Sequence, residues 1–153
     1  MDFYQAVSKN NIEIVENLLL EGFDVNTKDE FGETGVHISV SKNNFDILKI
    51  LIDHQANIDI LNEEGYSPAQ IAVIDGSYES LKTLLENGAD IKTIDPNGNT
   101  LLANAVMHYR GDDRIIKLLL EKGIDPKIEN NHGISLFNLL NMPKNKDIKH
   151  LFE

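Results

Sequence analysis

The sequence predicts an all-α solenoid of about five helix–turn–helix units, with hairpin turns along one edge. Three observations carry this. Gly32, Gly65, Gly98 and Gly133 recur at intervals of 33, 33 and 35 residues, and each opens the phrase glycine, any residue, hydroxyl residue. An apolar phrase follows about 20 residues later: Ile47–Ile52, Leu81–Leu85 and Ile115–Leu120. A third phrase closes each unit: Gly22-Phe23-Asp24-Val25-Asn26, Gln55-Ala56-Asn57-Ile58-Asp59, Gly88-Ala89-Asp90-Ile91-Lys92 and Gly123-Ile124-Asp125-Pro126-Lys127. A period of this length means one supersecondary unit stacked on copies of itself.

The first unit, residues 1–28, lacks an opening turn and starts in a helix, Phe3 to Lys9. In the second, residues 29–61, Asp29-Glu30-Phe31-Gly32 is a turn whose glycine adopts positive φ without steric cost. Thr34 then caps a short helix from Gly35 to Lys42. Asn43-Asn44 breaks it, and a second helix runs from about Asp46 to Asp53. That helix is apolar on most of its circumference, so it must be buried on more than one side. The third unit, residues 62–94, repeats the plan with Ser67 as cap and Pro68 at the first helical position, where proline is tolerated. Gly76 takes the interhelical turn and Gly88 the helix stop.

The fourth unit, residues 95–129, uses Thr100, Gly111 and Gly123 in the same places. Its first helix is two residues longer, within Met107-His108-Tyr109-Arg110, which predicts a projection from the surface. In the fifth, residues 130–153, Ile134–Leu140 reads as a first helix, Met142–Lys146 replaces the turn, and Ile148 with Leu151-Phe152 makes a short closing helix. Atypical ends cover the open faces of a one-dimensional core, and two of them predict a monomer. No linker or low-complexity tail interrupts the units, so the expectation is one domain.

Composition limits the function. The chain has 153 residues, no cysteine and a net charge of −11. Disulfides, thiolate metal sites and cysteine nucleophiles are excluded. The N-terminus has no basic region followed by an apolar core, and no apolar stretch approaches 18 residues, which predicts a cytoplasmic protein with no membrane partner. Residues 1–61 hold 11 acids and 4 bases, residues 62–94 hold 6 and 2, and residues 95–153 hold 8 and 8. All the excess negative charge therefore lies in the first 94 residues. Nucleic acid is disfavoured as a ligand, because phosphate binding needs clustered lysine and arginine. A partner with a basic surface is favoured.

Catalysis finds no support in the motifs. His37, His54, His108, His132 and His150 form no zinc-protease spacing. The acids Glu63-Glu64, Asp112-Asp113, Asp90 and Asp95 stand at turns rather than in a pocket that would perturb them. No calcium loop and no phosphate-cradling glycine loop is present. No cofactor or metal is expected.

These phrases resemble the ankyrin repeat, which carries a glycine turn, Thr-Pro-Leu-His on the first helix, an apolar second helix and Gly-Ala-Asp-Val-Asn after it. Thr34-Gly35-Val36-His37 and Ser67-Pro68-Ala69-Gln70 match the first motif in part, and Gly22–Asn26 and Gly88–Lys92 match the last. The resemblance covers essentially the whole chain. It implies a non-enzymatic protein-binding solenoid in which His37 bonds the backbone of neighbouring turns. Gly35, Leu101 and Leu136 depart from the proline, and Asn104 stands at a usually apolar site; these bear on local stability rather than on the fold. Residues 99–106, the Tyr109-Arg110-Gly111 segment and residues 127–135 are also similar to small bacterial ankyrin-repeat proteins, some of which are immunity proteins beside secreted toxins. A scaffold or chaperone for an endogenous enzyme and a host-directed effector are the competing readings.

The exposed turn and first-helix positions form the expected partner-binding set. It comprises Glu30, Phe31, Glu33, Glu63, Glu64, Tyr66, Asp75, Asn97, Asn99, His108, Tyr109 and Arg110. Phe31, Tyr66 and Tyr109 are aromatic anchors within an acidic surround, the composition of interface hot spots.

Overall fold

The computed structural model describes residues 1–153. Nine α-helices follow in order: α1 (Phe3–Ser8), α2 (Ile12–Leu20), α3 (Gly35–Ser41), α4 (Phe45–Asp53), α5 (Pro68–Asp75), α6 (Tyr78–Glu86), α7 (Leu101–Met107), α8 (Arg114–Glu121) and α9 (Leu136–Leu140). They pair as antiparallel hairpins. The odd-numbered helices pack on one another as an inner layer, and α2, α4, α6 and α8 form the outer layer. The chain is an all-α repeat solenoid.

Local chemistry sets each start and stop. Thr34, Ser67 and Thr100 are extended caps whose hydroxyls accept from the backbone N–H of His37, Gln70 and Ala103. Asp2 holds the same place before α1 and forms a reciprocal capping box with Gln5. The tight turns between paired helices need one left-handed residue each, supplied by Asn10, Asn43, Gly76 and Gly111. Asparagine tolerates that conformation better than other residues with a Cβ.

One hydrophobic core runs the length of the stack, from Phe3 and Val7 through Val36, Leu48, Leu51, Leu81, Leu84, Leu102 and Leu119 to Leu140 and Ile148. At the N-terminal end Phe3 stacks on Phe23 with ring centroids 4.3 Å apart, and Tyr4 closes on both. Gly35, which departs from the usual proline, lies under the Phe3 ring: a Cβ there would meet Phe3 Cε1 at 2.8 Å. The missing side chain makes room for the first unit's aromatic residue.

The far end differs from expectation. The closing helix is a single 3-10 turn, Lys149–Phe152, and the segment that replaces the interhelical turn forms another, Pro143–Asn145. Pro143 starts the first turn, and buried Asn145 donates from Nδ2 to the Leu139 carbonyl. The first helix of the fourth unit is not longer: α7 ends at Met107, the two extra residues fall in the loop after it, and they do not form the expected projection. Tyr109 is buried, with its hydroxyl donating to Asp147 at 2.5 Å, and Lys144 Nζ donates to the Met107 carbonyl. The two extra residues bind the closing segment to the fourth unit.

Candidate functional site

The hairpin turns share one design. The first residue of a turn, Asp29, Asn62, Asp95 or Asn130, accepts from backbone N–H groups two or four residues on. Its side chain thus does the work of a backbone turn. Isolated bridges join Lys28 to Thr34 and Ile94 to Thr100. The fifth residue reaches toward the next turn. Glu33 accepts from Asn62 Nδ2 at 2.8 Å, and Asn99 accepts from Asn130 Nδ2 at 3.0 Å. Burial raises the Glu33 carboxyl above its ordinary value, which the bond from Asn62 partly offsets.

His37 locks two units together. Its Nδ1 accepts from the Thr34 backbone N–H, so the ring proton sits on Nε2, which donates to the Tyr66 carbonyl at 3.1 Å. Burial holds the imidazole below its ordinary value of 6.5. Glu33 Oε2 lies 4.0 Å from Nδ1, but a neutral ring makes no ion pair with it. Gln70 occupies the same place one unit later, and its Nε2 finds no partner although fully buried.

Two depressions gather residues of the expected set. The larger, about 970 Å³, lies across α1, α3 and α5 beside the turn at 29–33. Half-buried Ile38 and Ile71 form its apolar floor. Asp2, Asp29, Glu30, Glu33 and Asp75 contribute five carboxylates to its walls against one base, Lys42. Phe31 stands at its rim, 71% exposed. The smaller, about 230 Å³, lies farther along between Asp75, His108, Arg110 and Asp112. No group of three or more histidine, aspartate or glutamate side chains is placed to hold a metal ion. No helix is long and apolar enough to cross a membrane.

The expected residues divide accordingly. Glu30, Phe31, Glu33 and Asp75 meet in the larger groove, and Asp75, His108, Tyr109 and Arg110 meet in the smaller one. Glu63, Glu64 and Asn97 are exposed along the turn edge, and Tyr66 is half-buried there. Two expectations need correction. Tyr109, expected as an exposed anchor, is only 8% exposed because its hydroxyl is held by Asp147. Asn99, expected on the surface, is 5% exposed, with its amide engaged by Asp95 and Asn130.

Sequence reasoning passed over Asp2, Tyr4, Gln5 and Ser8, which complete the larger groove. The signal was present. Asp2 and Gln5 stand at the capping positions of Thr34 and His37, so α1 presents the same face as the other first helices.

Comparison with known proteins agrees with this geometry. Residues 3–95 match the family model for ankyrin repeats in three copies, and residues 97–131 match the model for a single ankyrin repeat. No curated protein matches the chain.

Proposed function

The chain belongs to the ankyrin-repeat family, whose repeats are protein–protein interaction modules, and from that premise we propose that it binds a basic protein along its inner face and performs no chemistry of its own. The observation that carries the reading is the larger groove: an apolar floor of Ile38 and Ile71, five carboxylates, one lysine, and an unshielded Phe31 at the rim. Apolar contact supplies affinity and the carboxylates supply orientation and speed. Phe31 and Tyr66 serve as anchors, with Glu30, Glu33, Glu63, Glu64 and Asp75 around them. His108 and Arg110 form the far margin.

In its specific form, the protein is a cytoplasmic immunity protein that occludes a basic, nuclease-like bacterial toxin. Support comes from the acidic face, which suits a cationic active site, and from the likeness of the last two units to small bacterial ankyrin-repeat proteins. Co-expression with a toxin encoded beside it should restore growth, and Phe31→Asp should abolish the protection. If the neighbouring product is instead an endogenous enzyme whose activity or solubility the protein supports, the scaffold reading replaces immunity.

Hydrogen exchange on the complex tests the docking face. Protection should fall on α1, α3, α5 and residues 29–34. Protection confined to α4, α6 and α8 would refute it.

A further inference from the structure

The floor of the larger groove is a short apolar strip with definite ends. Ile38 lies midway along α3 and Ile71 takes the same place on α5, each half-buried and lining the groove. The units on either side break the strip. Ala6 is fully buried at this position in α1, and in α7 it is Asn104, buried with its amide on Asp95. Phe31 stands over one end, 71% exposed. Its ring meets no aromatic ring and no cation of its own chain.

Charge marks both ends of that strip. Asp29 and Glu33 precede α3, and Asp75 closes α5, where Ser41 at the end of α3 donates to it at 2.9 Å. The seven residues of α3 set these ends about 10 Å apart. Each carboxylate gives one oxygen to its own chain and keeps the other free. Asp29 Oδ1 accepts from the Phe31 N–H at 2.9 Å, and Glu33 Oε1 accepts from Asn62 Nδ2 at 2.8 Å. No lysine or arginine pairs with any of the three, and the two ion pairs of the chain, Arg114–Asp112 and Lys117–Asp113, lie in the fourth unit. Burial raises the Glu33 carboxyl, a cost that a bound cation would offset. The chain also shows which cation suits a ring beside a carboxylate. Arg114 lies over the Tyr78 ring at 4.6 Å and holds Asp112 Oδ2 through Nε and Nη2 at 3.0 and 2.8 Å.

We infer that the groove takes a short extended segment of its partner that carries arginine, an apolar residue and a second arginine at alternate positions. This rests on the reading of the groove as a docking face for a basic protein, and it names what that face selects. In an extended chain alternate side chains share one face, and residues i, i+2 and i+4 span about 13 Å. The apolar residue lies on Ile38 and Ile71. One guanidinium lies against the Phe31 ring and takes the free oxygens of Asp29 and Glu33, as Arg114 does with Tyr78 and Asp112. The other reaches Asp75. Lysine suits the first place less well, because an ammonium neither stacks on a ring as a plane nor bonds a carboxylate through a fork.

Amide chemical shifts of the full chain, titrated with the end-capped peptide Arg-Ala-Leu-Ala-Arg to about 5 mM, test this in the range where a short flexible segment binds. Saturable shifts should fall on residues 29–42 and 71–75. The peptides Lys-Ala-Leu-Ala-Lys and Arg-Ala-Ser-Ala-Arg should bind more weakly. Phe31→Leu, which keeps an apolar side chain but removes the ring, and Glu33→Gln, which keeps the acceptor for Asn62, should each weaken the arginine peptide about 2- to 5-fold. Glu16→Gln, an exposed change on the outer helix α2, should leave it unchanged. Absent or unsaturable shifts, shifts confined to the outer helices, or equal binding of the arginine and lysine peptides overturn the inference. So does an equal loss with Glu16→Gln, which would reduce the binding to general charge attraction. A basic partner that protects α1, α3 and α5 from exchange while the arginine peptide leaves them unshifted overturns this inference alone and leaves the wider docking reading in place.

Discussion

Gly98 and Gly123 share a φ of 79° but not their surroundings. A Cβ at Gly123 meets nothing within 4 Å, while one at Gly98 meets the Asn131 side chain at 2.5 Å and its backbone nitrogen at 3.0 Å. That nitrogen donates to the Asn97 carbonyl, so it cannot retreat freely. Gly123→Ala should therefore cost only left-handed strain, about 1–2 kcal/mol. Gly98→Ala should cost about 1–3 kcal/mol more, the range for forcing atoms into a packed site. Urea denaturation of the pair isolates the stacking contact, and equal losses would mean that the turns do not bear on one another. His37 gives a second test. Its folded-state pKa lies below 6.5 because burial disfavours the imidazolium. The unfolded chain thus takes up the proton first, and stability falls as pH drops below about 6.5. Glu33, raised by burial, works in the opposite sense at lower pH. His37→Gln, the residue found naturally at position 70, should flatten the decline between pH 7.5 and 5.5 in urea titrations. A decline of unchanged slope would place its origin elsewhere.

At the scale of the helical pair, stability belongs to the buried faces of the helices rather than to the exposed turns. Leu51 of α4 is fully buried and Glu30 is exposed. Leu51→Ala should cost about 2–5 kcal/mol through the cavity it leaves, and Glu30→Ala less than about 0.5 kcal/mol. Equal small losses in chemical denaturation would mean that α4 is not in the core. The helices, their caps and their order were legible in the sequence because period, cap chemistry and glycine placement all act within one repeat. What was not legible depends on contacts between repeats. Gly35 reads as a local weakness until Phe3, 32 positions earlier, is seen above it. Tyr109 reads as a protruding anchor until Asp147, 38 positions later, takes its hydroxyl. Asn104 reads as misplaced until its amide reaches Asp95, the buried acid that heads the turn of the fourth unit. The groove was half legible: the acids of the second unit's turn and Asp75 of the third unit stood out, whereas α1 was read as a cap and its contribution was missed.

For the whole molecule the decisive feature is polarity along the stack. The front 94 residues carry the net charge of −11, and the rest is neutral. A face of one sign raises the encounter rate with a partner of the other sign by ~10- to 1000-fold at low salt. Glu30 and Glu64 are exposed and bonded to no other side chain, so reversing them leaves the fold's contacts intact. The most direct test is the association rate between the protein and the basic partner recovered with it, at low and high salt, for the parent and for Glu30→Lys with Glu64→Lys. The account predicts a parent rate that falls steeply with salt. It predicts a double variant that associates about 10-fold more slowly at low salt with a flatter dependence, and dissociation rates that agree within about 2-fold, since rim charges act mainly on association. An acidic partner, or an association rate indifferent to both salt and charge reversal, would contradict it.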